Sequence, residues 1–272
     1  MTRPSNHEQE IKALTAEVAR LAQGGDPAAL EPPLLRLVAL APERPDFRFQ
    51  LAQLHFARRR YGSAAEGFQE AARLLPDWAQ AWFEAGRALI GANRFEAAIP
   101  ALTRALAFKP GSAEAHIQIG SALINLKRCS EAELVLVAAT RLNPDRPEAH
   151  YLLGVARIND HRARTAIGPF QAAIELRPNW RQAWFELGRS LYACTDFDAA
   201  AAAFAAAAAL MPGDAGALQM LAMALYNREH RDAANTILAH AIELHPPCQQ
   251  YADLLNLGLT QADFAHALKG EI

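Results

Sequence analysis

Cysteine, charge of a single sign and long apolar segments are all scarce in this chain of 272 residues. Three cysteines are too few and too dispersed for a disulfide framework or a zinc site. The 27 basic and 29 acidic residues leave a formal net charge of -2, which excludes a general attraction to nucleic acid or anionic membranes. Residues 1–10 lack the apolar core of a signal peptide, and no run of 18 apolar residues could span a bilayer. We therefore expect a cytoplasmic protein without nucleic-acid or membrane partners.

Motifs of catalysis are also missing. The sequence contains no Walker-type glycine loop, no Gly-x-Ser-x-Gly, no His-Glu-x-x-His and no Cys-x-x-Cys. We accordingly expect no enzymatic activity, no catalytic residues, no bound metal and no cofactor.

What the chain does contain is a repeat. Alanine, the strongest helix former, supplies 60 residues. Prolines recur at intervals of 34 residues: Pro42, Pro76, Pro110, Pro144, Pro178, Pro212 and Pro246. Because proline cannot continue a helix, each one marks the end of a unit. This spacing predicts six repeats: 45–78, 79–112, 113–146, 147–180, 181–214 and 215–248.

Within this register, the columns alternate between small and large residues. The eighth position is glycine or alanine: Ala52, Gly86, Gly120, Gly154, Gly188 and Ala222. The twentieth and twenty-seventh positions are alanine in all six repeats, and the twenty-fourth is large and apolar: Phe68, Leu102, Leu136, Phe170, Phe204 and Leu238. Small residues allow two antiparallel helices to approach closely, and the large ones fill the space between them. Each repeat is therefore predicted to be a helix-turn-helix unit.

The best-matching segments run from Ala81 to Gly86 before Pro110, and from Ala183 to Gly188 before Pro212. Their Trp, Gly and Pro spacing, with the alanine and phenylalanine columns, resembles the tetratricopeptide repeat family over residues 45–248. The resemblance implies an all-α, right-handed superhelical solenoid of stacked repeats. Residues 1–44 are expected to form a degenerate N-terminal repeat or cap, with a helix broken at Pro32-Pro33. Residues 249–272 are expected to form C-terminal capping helices.

The resemblance also implies a concave groove lined by the first helix of each repeat, which binds a peptide or helix of another protein. At exposed positions of that groove the chain carries Phe49, Phe83, Arg87, Tyr151, Phe185, Arg189, Tyr192 and Tyr226. The two arginines stand in near-identical settings, Phe83–Arg87 and Phe185–Arg189. Arginine beside an aromatic ring can pair with a carboxylate while its plane stacks, which favours a role as an anchor. Packing between repeats is the competing explanation for the aromatic residues.

Three alternatives stay open. The chain could be the recognition region of a multidomain enzyme, such as a bacterial sulfotransferase or glycosyltransferase with its catalytic domain elsewhere. It could self-associate through an end of the stack. Basic residues in the turns inside repeats, such as Arg59, Arg94 and Lys127, could attract an acidic partner, although the dipole of the preceding helix is sufficient to explain them.

Overall fold

The fold is that of a computed structural model, which describes residues 6–24, 27–227 and 231–244. These ranges are built from α-helices without a strand. Two helices, α1 (Asn6–Gly24) and α2 (Pro27–Leu40), precede six helical hairpins. None of the described helices has both the length and the apolar character needed to cross a bilayer. The capping helices expected at 249–272 lie outside the described residues.

The hairpins follow the 34-residue period. Their first helices are α3 (Pro45–Ala57), α5 (Ala79–Gly91), α7 (Ala113–Asn125), α9 (Pro147–Asn159), α11 (Arg181–Ala193) and α13 (Ala215–Tyr226). Their second helices are α4 (Tyr61–Leu74), α6 (Phe95–Phe108), α8 (Cys129–Leu142), α10 (Ala163–Leu176), α12 (Phe197–Leu210) and α14 (Arg231–Leu244). The predicted all-α class, a solenoid of helix-turn-helix repeats, is confirmed.

The chain forms two compact units, Met1–Asn143 and Pro144–Ile272, here named the N-terminal and C-terminal units. Within the N-terminal unit, α2 packs on α3, α4 on α5 and α6 on α7. Within the C-terminal unit, α10 packs on α11 and α12 on α13. The second helices α4, α6, α10 and α12 therefore each contact the first helix of the next hairpin, and α2 contacts the first hairpin in the same way.

The core follows the predicted columns. The alanines of the twentieth and twenty-seventh positions are at most 4% exposed in all six hairpins. The large apolar residues of the twenty-fourth position are at most 1% exposed, and three of them, Phe68, Phe170 and Phe204, are among the largest fully buried side chains.

The eighth position touches the twenty-fourth. A Cβ atom built on Gly86 would lie 2.4 Å from Leu102 Cγ, and one on Gly154 would lie 2.6 Å from the Phe170 ring. These separations are far below van der Waals contact, so glycine is required by space. In the first hairpin the eighth residue is Ala52, and the second helix has a glycine, Gly67, at the point of contact. A Cβ on Gly67 would lie 2.8 Å from the Ala52 Cβ.

In four of the six hairpins, a side chain at the fourth position attaches the first helix to the preceding turn. Trp82 Nε1 donates a hydrogen bond to the Pro76 carbonyl at 2.9 Å, and Trp184 Nε1 donates to the Pro178 carbonyl at 2.8 Å. His150 Nε2 makes the equivalent bond at 2.7 Å and Arg48 Nε at 3.2 Å, each to the proline carbonyl six residues earlier. In these four hairpins, the proline that ends the preceding unit therefore also accepts the hydrogen bond that attaches the first helix.

The turn inside each of the first five hairpins has a left-handed residue at the fifteenth position: Arg59, Asn93, Lys127, His161 and Thr195, with φ between 57° and 63°. The next residue donates its backbone N–H back across the helix end, as Arg94 does to the Leu89 carbonyl at 2.8 Å. This pattern satisfies the last carbonyls of the first helix.

The prediction that Pro32-Pro33 breaks the N-terminal helix is wrong. Both prolines lie inside α2, which is continuous from Pro27 to Leu40. They fall in its second turn, where the helix forgoes the two N–H donors that proline lacks. Packing holds the segment, because Leu34 and Leu37 are at most 2% exposed in a cluster that also contains Phe47.

Glu31 of α2 binds the end of α3 through the side chains of two arginines and one histidine. Its carboxylate accepts hydrogen bonds from Arg58 and from Arg60, the latter at 2.8 Å, and His55 Nε2 lies 3.3 Å away. Partial burial raises the pKa of Glu31. The charge of Arg60, the hydrogen bond from His55 and the charge of Arg58 lower this pKa, and together they outweigh the effect of burial. The net result is a pKa below the ordinary glutamate value, so the ionised form stabilises this junction.

The glycine column predicts opposite effects for two glycine-to-alanine changes. Gly154→Ala should destabilise the protein by about 1–3 kcal/mol, because the rigid Phe170 ring must move. Gly62→Ala, at a helical position with nothing within 4 Å, should instead be neutral or stabilising by up to about 1 kcal/mol. Urea denaturation of both variants measures the difference. Equal effects would contradict the assigned contact.

The Glu31 cluster predicts a stability difference that depends on pH. At pH 7, above the ordinary glutamate pKa of about 4.3, the stabilisation is present in full, and it is lost as the pH falls through the lower pKa of the folded state. Glu31→Gln should therefore lower the urea midpoint at pH 7, and the difference from wild type should shrink in acid. Glu10→Gln is the control, since Glu10 forms an exposed pair with Arg36 at 3.0 Å. A Glu31→Gln effect that is independent of pH would refute the ionic account.

Candidate functional site

The candidate site is the first-helix face, defined as the surface formed by the fifth, ninth and twelfth positions of the first helices within each unit. The N-terminal unit places Phe49, Phe83 and Arg87 on α3 and α5. The C-terminal unit places Tyr151, Phe185, Arg189, Tyr192 and Tyr226 on α9, α11 and α13. The predicted residues thus fall into two groups, one in each unit.

Phe49 is a packing residue. It is 8% exposed, its ring stacks on Trp78 with 4.5 Å between centroids, and its edge meets Phe68 at 5.0 Å. The expectation that Phe49 contacts a partner is therefore corrected: its ring is covered by the chain itself, and we do not retain it in the site.

Tyr151 is covered in the same way, but less completely. Its ring lies 4.5 Å from the Trp180 ring and 5.8 Å from Phe170. On Trp180 lies the guanidinium of Arg177, 4.7 Å from the ring centroid. Burial, with a contribution from the negative charge of Glu186, raises the pKa of Tyr151 above its ordinary value. The neutral phenol is therefore the form present at physiological pH.

Phe83 and Phe185 have no indole over them. Phe83 lines a pocket of about 160 Å³ together with Ala79, Gln80, Ala105, Lys109, Ser112 and Glu114. Phe185 meets Phe204 edge-on at 5.6 Å. The residues equivalent to Ala79 and Ser112 in that hairpin are Arg181 and Asp214, which form an ion pair with each other. Phe83 therefore lies beside a pocket, whereas at the equivalent place near Phe185 the chain has the Arg181–Asp214 ion pair.

Both arginines of the site are already paired. Arg87 bonds to Glu84 at 2.9 Å, and Arg189 bonds to Glu186 at 3.0 Å, each three residues earlier on the same helix. Their aromatic surroundings differ, contrary to the expectation of near-identical settings. The Arg87 guanidinium lies 5.0 Å from the Phe56 ring and 5.8 Å from the Phe83 ring. Ile158 stands at the position equivalent to Phe56 in the C-terminal unit, so Arg189 lacks that aromatic neighbour.

Tyr192 and Tyr226 are half-buried at the twelfth position. The Tyr192 hydroxyl accepts a hydrogen bond from Asn227 Nδ2 at 3.0 Å, and its ring meets Phe197 edge-on at 5.2 Å. Burial raises the pKa of Tyr192, while the Asn227 hydrogen bond lowers it by less. Tyr226 packs against the cluster that contains Met223. Both residues are therefore only partly exposed.

Sequence reasoning missed two sets of residues that shape the site. One is the thirty-fourth position, where Trp78 and Trp180 cover a fifth-position ring and Ser112 does not. The other is the sixth-position glutamates that hold the arginines. In each set, the sequence signal was a residue type that recurs at the same repeat position. Trp78 and Trp180 share the thirty-fourth position, and Glu84 and Glu186 share the sixth. Across the described ranges, no group of three or more His, Cys, Asp and Glu side chains is placed to hold a metal ion.

Two family models, each described as a tetratricopeptide repeat, match this chain. One matches residues 89–156 and the other matches residues 49–113 and 156–217, so together they cover more than half of the sequence. The chain belongs to the tetratricopeptide repeat family. Repeats of this family build protein-interaction scaffolds, and this is the general functional class of the chain.

Solved structures show the same fold. YrrB, described as a tetratricopeptide repeat protein with an unusual peptide-binding site, is 25% identical, with a TM-score of 0.62 over 70% of this chain and 98% of its own. PilF of Pseudomonas aeruginosa is 21% identical, with a TM-score of 0.64 over 78% of this chain and 97% of its own. MamA is 24% identical, with a TM-score of 0.59 over 64% and 94%. Comparison with curated protein sequences finds no match.

The different surroundings of the two arginines predict different mobility. The Arg87 guanidinium, held by Glu84 and Phe56, should be more rigid than that of Arg189, and ¹⁵N relaxation at the two Nε atoms measures this directly. Phe56→Leu should make Arg87 as mobile as Arg189. Equal mobility in the wild type would show that the contact with Phe56 does not restrain Arg87.

Proposed function

We propose that this protein is a non-enzymatic scaffold that binds an extended or helical segment of a partner protein on its first-helix faces. The observation that carries the proposal is the combination of accessible aromatic surface with an arginine–glutamate pair on the same face. That combination occurs on α5, with Phe83 and Arg87, and on α11, with Phe185 and Arg189. A cytoplasmic location is part of the proposal.

The pairing of the arginines shapes the mechanism that we propose. A partner carboxylate would have to compete with Glu84 for Arg87 or with Glu186 for Arg189. An arginine–glutamate pair carries no net charge, yet it offers N–H donors beside carboxylate acceptors. Such a pair suits the carbonyl and N–H groups of a partner's main chain, whereas the aromatic rings bury its apolar side chains. The arginines would thus orient the segment, and the rings would supply most of the affinity.

The similarity to YrrB supports this proposal, since that protein is described as having a peptide-binding site. No described feature favours the alternative of a repeat region that serves a sulfotransferase or glycosyltransferase domain, so we do not extend the proposal to it. Self-association through an end of the stack is a separate hypothesis, which sedimentation of the isolated protein would test.

Paired variants test the proposal. A partner recovered with the wild-type protein should bind the Arg87→Ala, Arg189→Ala variant at least about fivefold more weakly, because arginine anchors typically cost 1 kcal/mol or more when truncated. Affinity capture followed by calorimetry on the identified partner measures the change.

The matched control removes two arginines from second helices. Arg73 forms the same i, i+3 pair with Glu70 at 3.0 Å on α4, and Arg141 is exposed on α8. The Arg73→Ala, Arg141→Ala variant changes the net charge equally and should keep the wild-type affinity. If both double variants bind alike, Arg87 and Arg189 do not contact the partner, and the proposed mechanism is wrong.

A further inference from the structure

In two repeats, the aromatic ring at the fifth position is covered by a tryptophan of the same repeat. In the first repeat, Trp78 stacks on Phe49 at 4.5 Å with an interplanar angle of 29°. In the fourth repeat, Trp180 lies on Tyr151 at 4.5 Å with an angle of 33°. In both, an indole from the thirty-fourth position covers the ring of the fifth position. The protein itself thus shows which chemical group fits over a fifth-position ring.

The filled site of the fourth repeat has a third layer. The Arg177 guanidinium lies 4.7 Å from the Trp180 ring, so the indole is held between the Tyr151 ring and a cation. Arg177 stands at the thirty-first position of its repeat. A cation over the face of an indole is an attractive arrangement in its own right.

The second repeat keeps two of these three layers and lacks the middle one. Its fifth position is Phe83 and its thirty-first is Lys109, but its thirty-fourth is Ser112. The Ser112 hydroxyl accepts a hydrogen bond from the Ala115 N–H at 3.2 Å, so this side chain is engaged with the start of α7. In place of the indole lies the pocket of about 160 Å³ that Phe83, Lys109 and Ser112 line.

We propose that this pocket binds one aromatic side chain of the partner segment, which stacks on Phe83 as Trp78 stacks on Phe49, with the Lys109 ammonium over its other face. This inference rests on the proposed function and names the chemistry that it recognises. A ring of this kind suits the volume, since an apolar cavity of about 150 Å³ accommodates benzene.

The neighbours of the pocket favour an aromatic occupant over an aliphatic one. A flat group between a phenyl ring and a cation gains from both stacking and the cation–π attraction, which an aliphatic side chain of similar size does not. Within the described residues Lys109 takes part in no ion pair, so binding would not break one. The carboxylate of Glu114, which also lines the pocket, already accepts a hydrogen bond from Gln118 at 2.9 Å.

Short peptides test the proposal whatever the identity of the partner. Acetyl-Gly-Trp-Gly-amide should shift the amide resonances of Gln80, Phe83 and Lys109 in ¹H–¹⁵N spectra of the full chain. Acetyl-Gly-Leu-Gly-amide should bind about tenfold more weakly at the same place. Equal affinity of the two peptides, or no shift at these amides, would overturn the proposal.

Variants at position 112 provide the decisive comparison. Ser112→Trp should fill the pocket from within and abolish the shifts, whereas Ser112→Ala, which loses only the cap of α7, should retain them. Trp78 and Trp180 both precede first helices, so an indole at this position is compatible with helix initiation. If Ser112→Trp does not fold, Phe83→Leu replaces it, and loss of the preference for tryptophan is then the expected result. Shifts that persist in a folded Ser112→Trp protein would contradict the assigned site.

The same variants separate this inference from the proposed function. A partner that binds wild type and Ser112→Trp equally, but loses affinity in the Arg87→Ala, Arg189→Ala variant, would overturn the aromatic pocket and leave the scaffold intact. A tryptophan peptide that occupies the pocket, with a partner insensitive to both arginines, would support the pocket and overturn the proposed role of the two arginines.

Discussion

The contact between the eighth and twenty-fourth positions determines how closely the two helices of each hairpin approach. Gly154 touches Phe170 so tightly that a methyl group on it would overlap the ring. In the first hairpin the eighth residue is Ala52, and Gly67 on the opposite helix lies against it. In the sixth hairpin the eighth residue is Ala222, and α14 contains no glycine. The requirement is therefore for a small residue on the first helix, glycine or alanine, and in the first hairpin the second helix contributes a glycine as well. The turns, the contacts between hairpins and the first-helix faces all depend on this close approach of the two helices.

The second constraint is the attachment of each hairpin to the one before it. Trp82 and Trp184 donate to the carbonyls of the prolines that end the preceding repeats. Phe83 and Phe185 follow these tryptophans directly in sequence. A hydrogen bond that serves the stability of the stack therefore also sets the start of the helix that presents the fifth-position ring. Packing and recognition share the same few residues, which explains why aromatic columns alone could not distinguish them.

The period, the hairpins and the buried columns were predictable from the sequence, because they depend on residue size at fixed spacing. The fate of the fifth-position rings was not, because it depends on a residue 29 positions later: Trp78 covers Phe49, whereas Ser112 leaves Phe83 beside a pocket. The pairing of Arg87 with Glu84 is local, but the position of the Arg87 guanidinium 5.0 Å from the Phe56 ring depends on the preceding hairpin. The continuous helix at Pro32-Pro33 was missed because local propensity favoured a break and tertiary packing prevailed.

We propose that the thirty-fourth residue decides whether a repeat fills its own aromatic site or leaves it for a partner. The crystal structure of the Ser112→Trp variant tests this claim most directly. It should show the introduced indole stacked on Phe83 with a centroid separation near the 4.5 Å of the two natural stacks, and with Lys109 over its outer face. An indole directed into solvent, with the pocket beside Phe83 still empty, would contradict the claim.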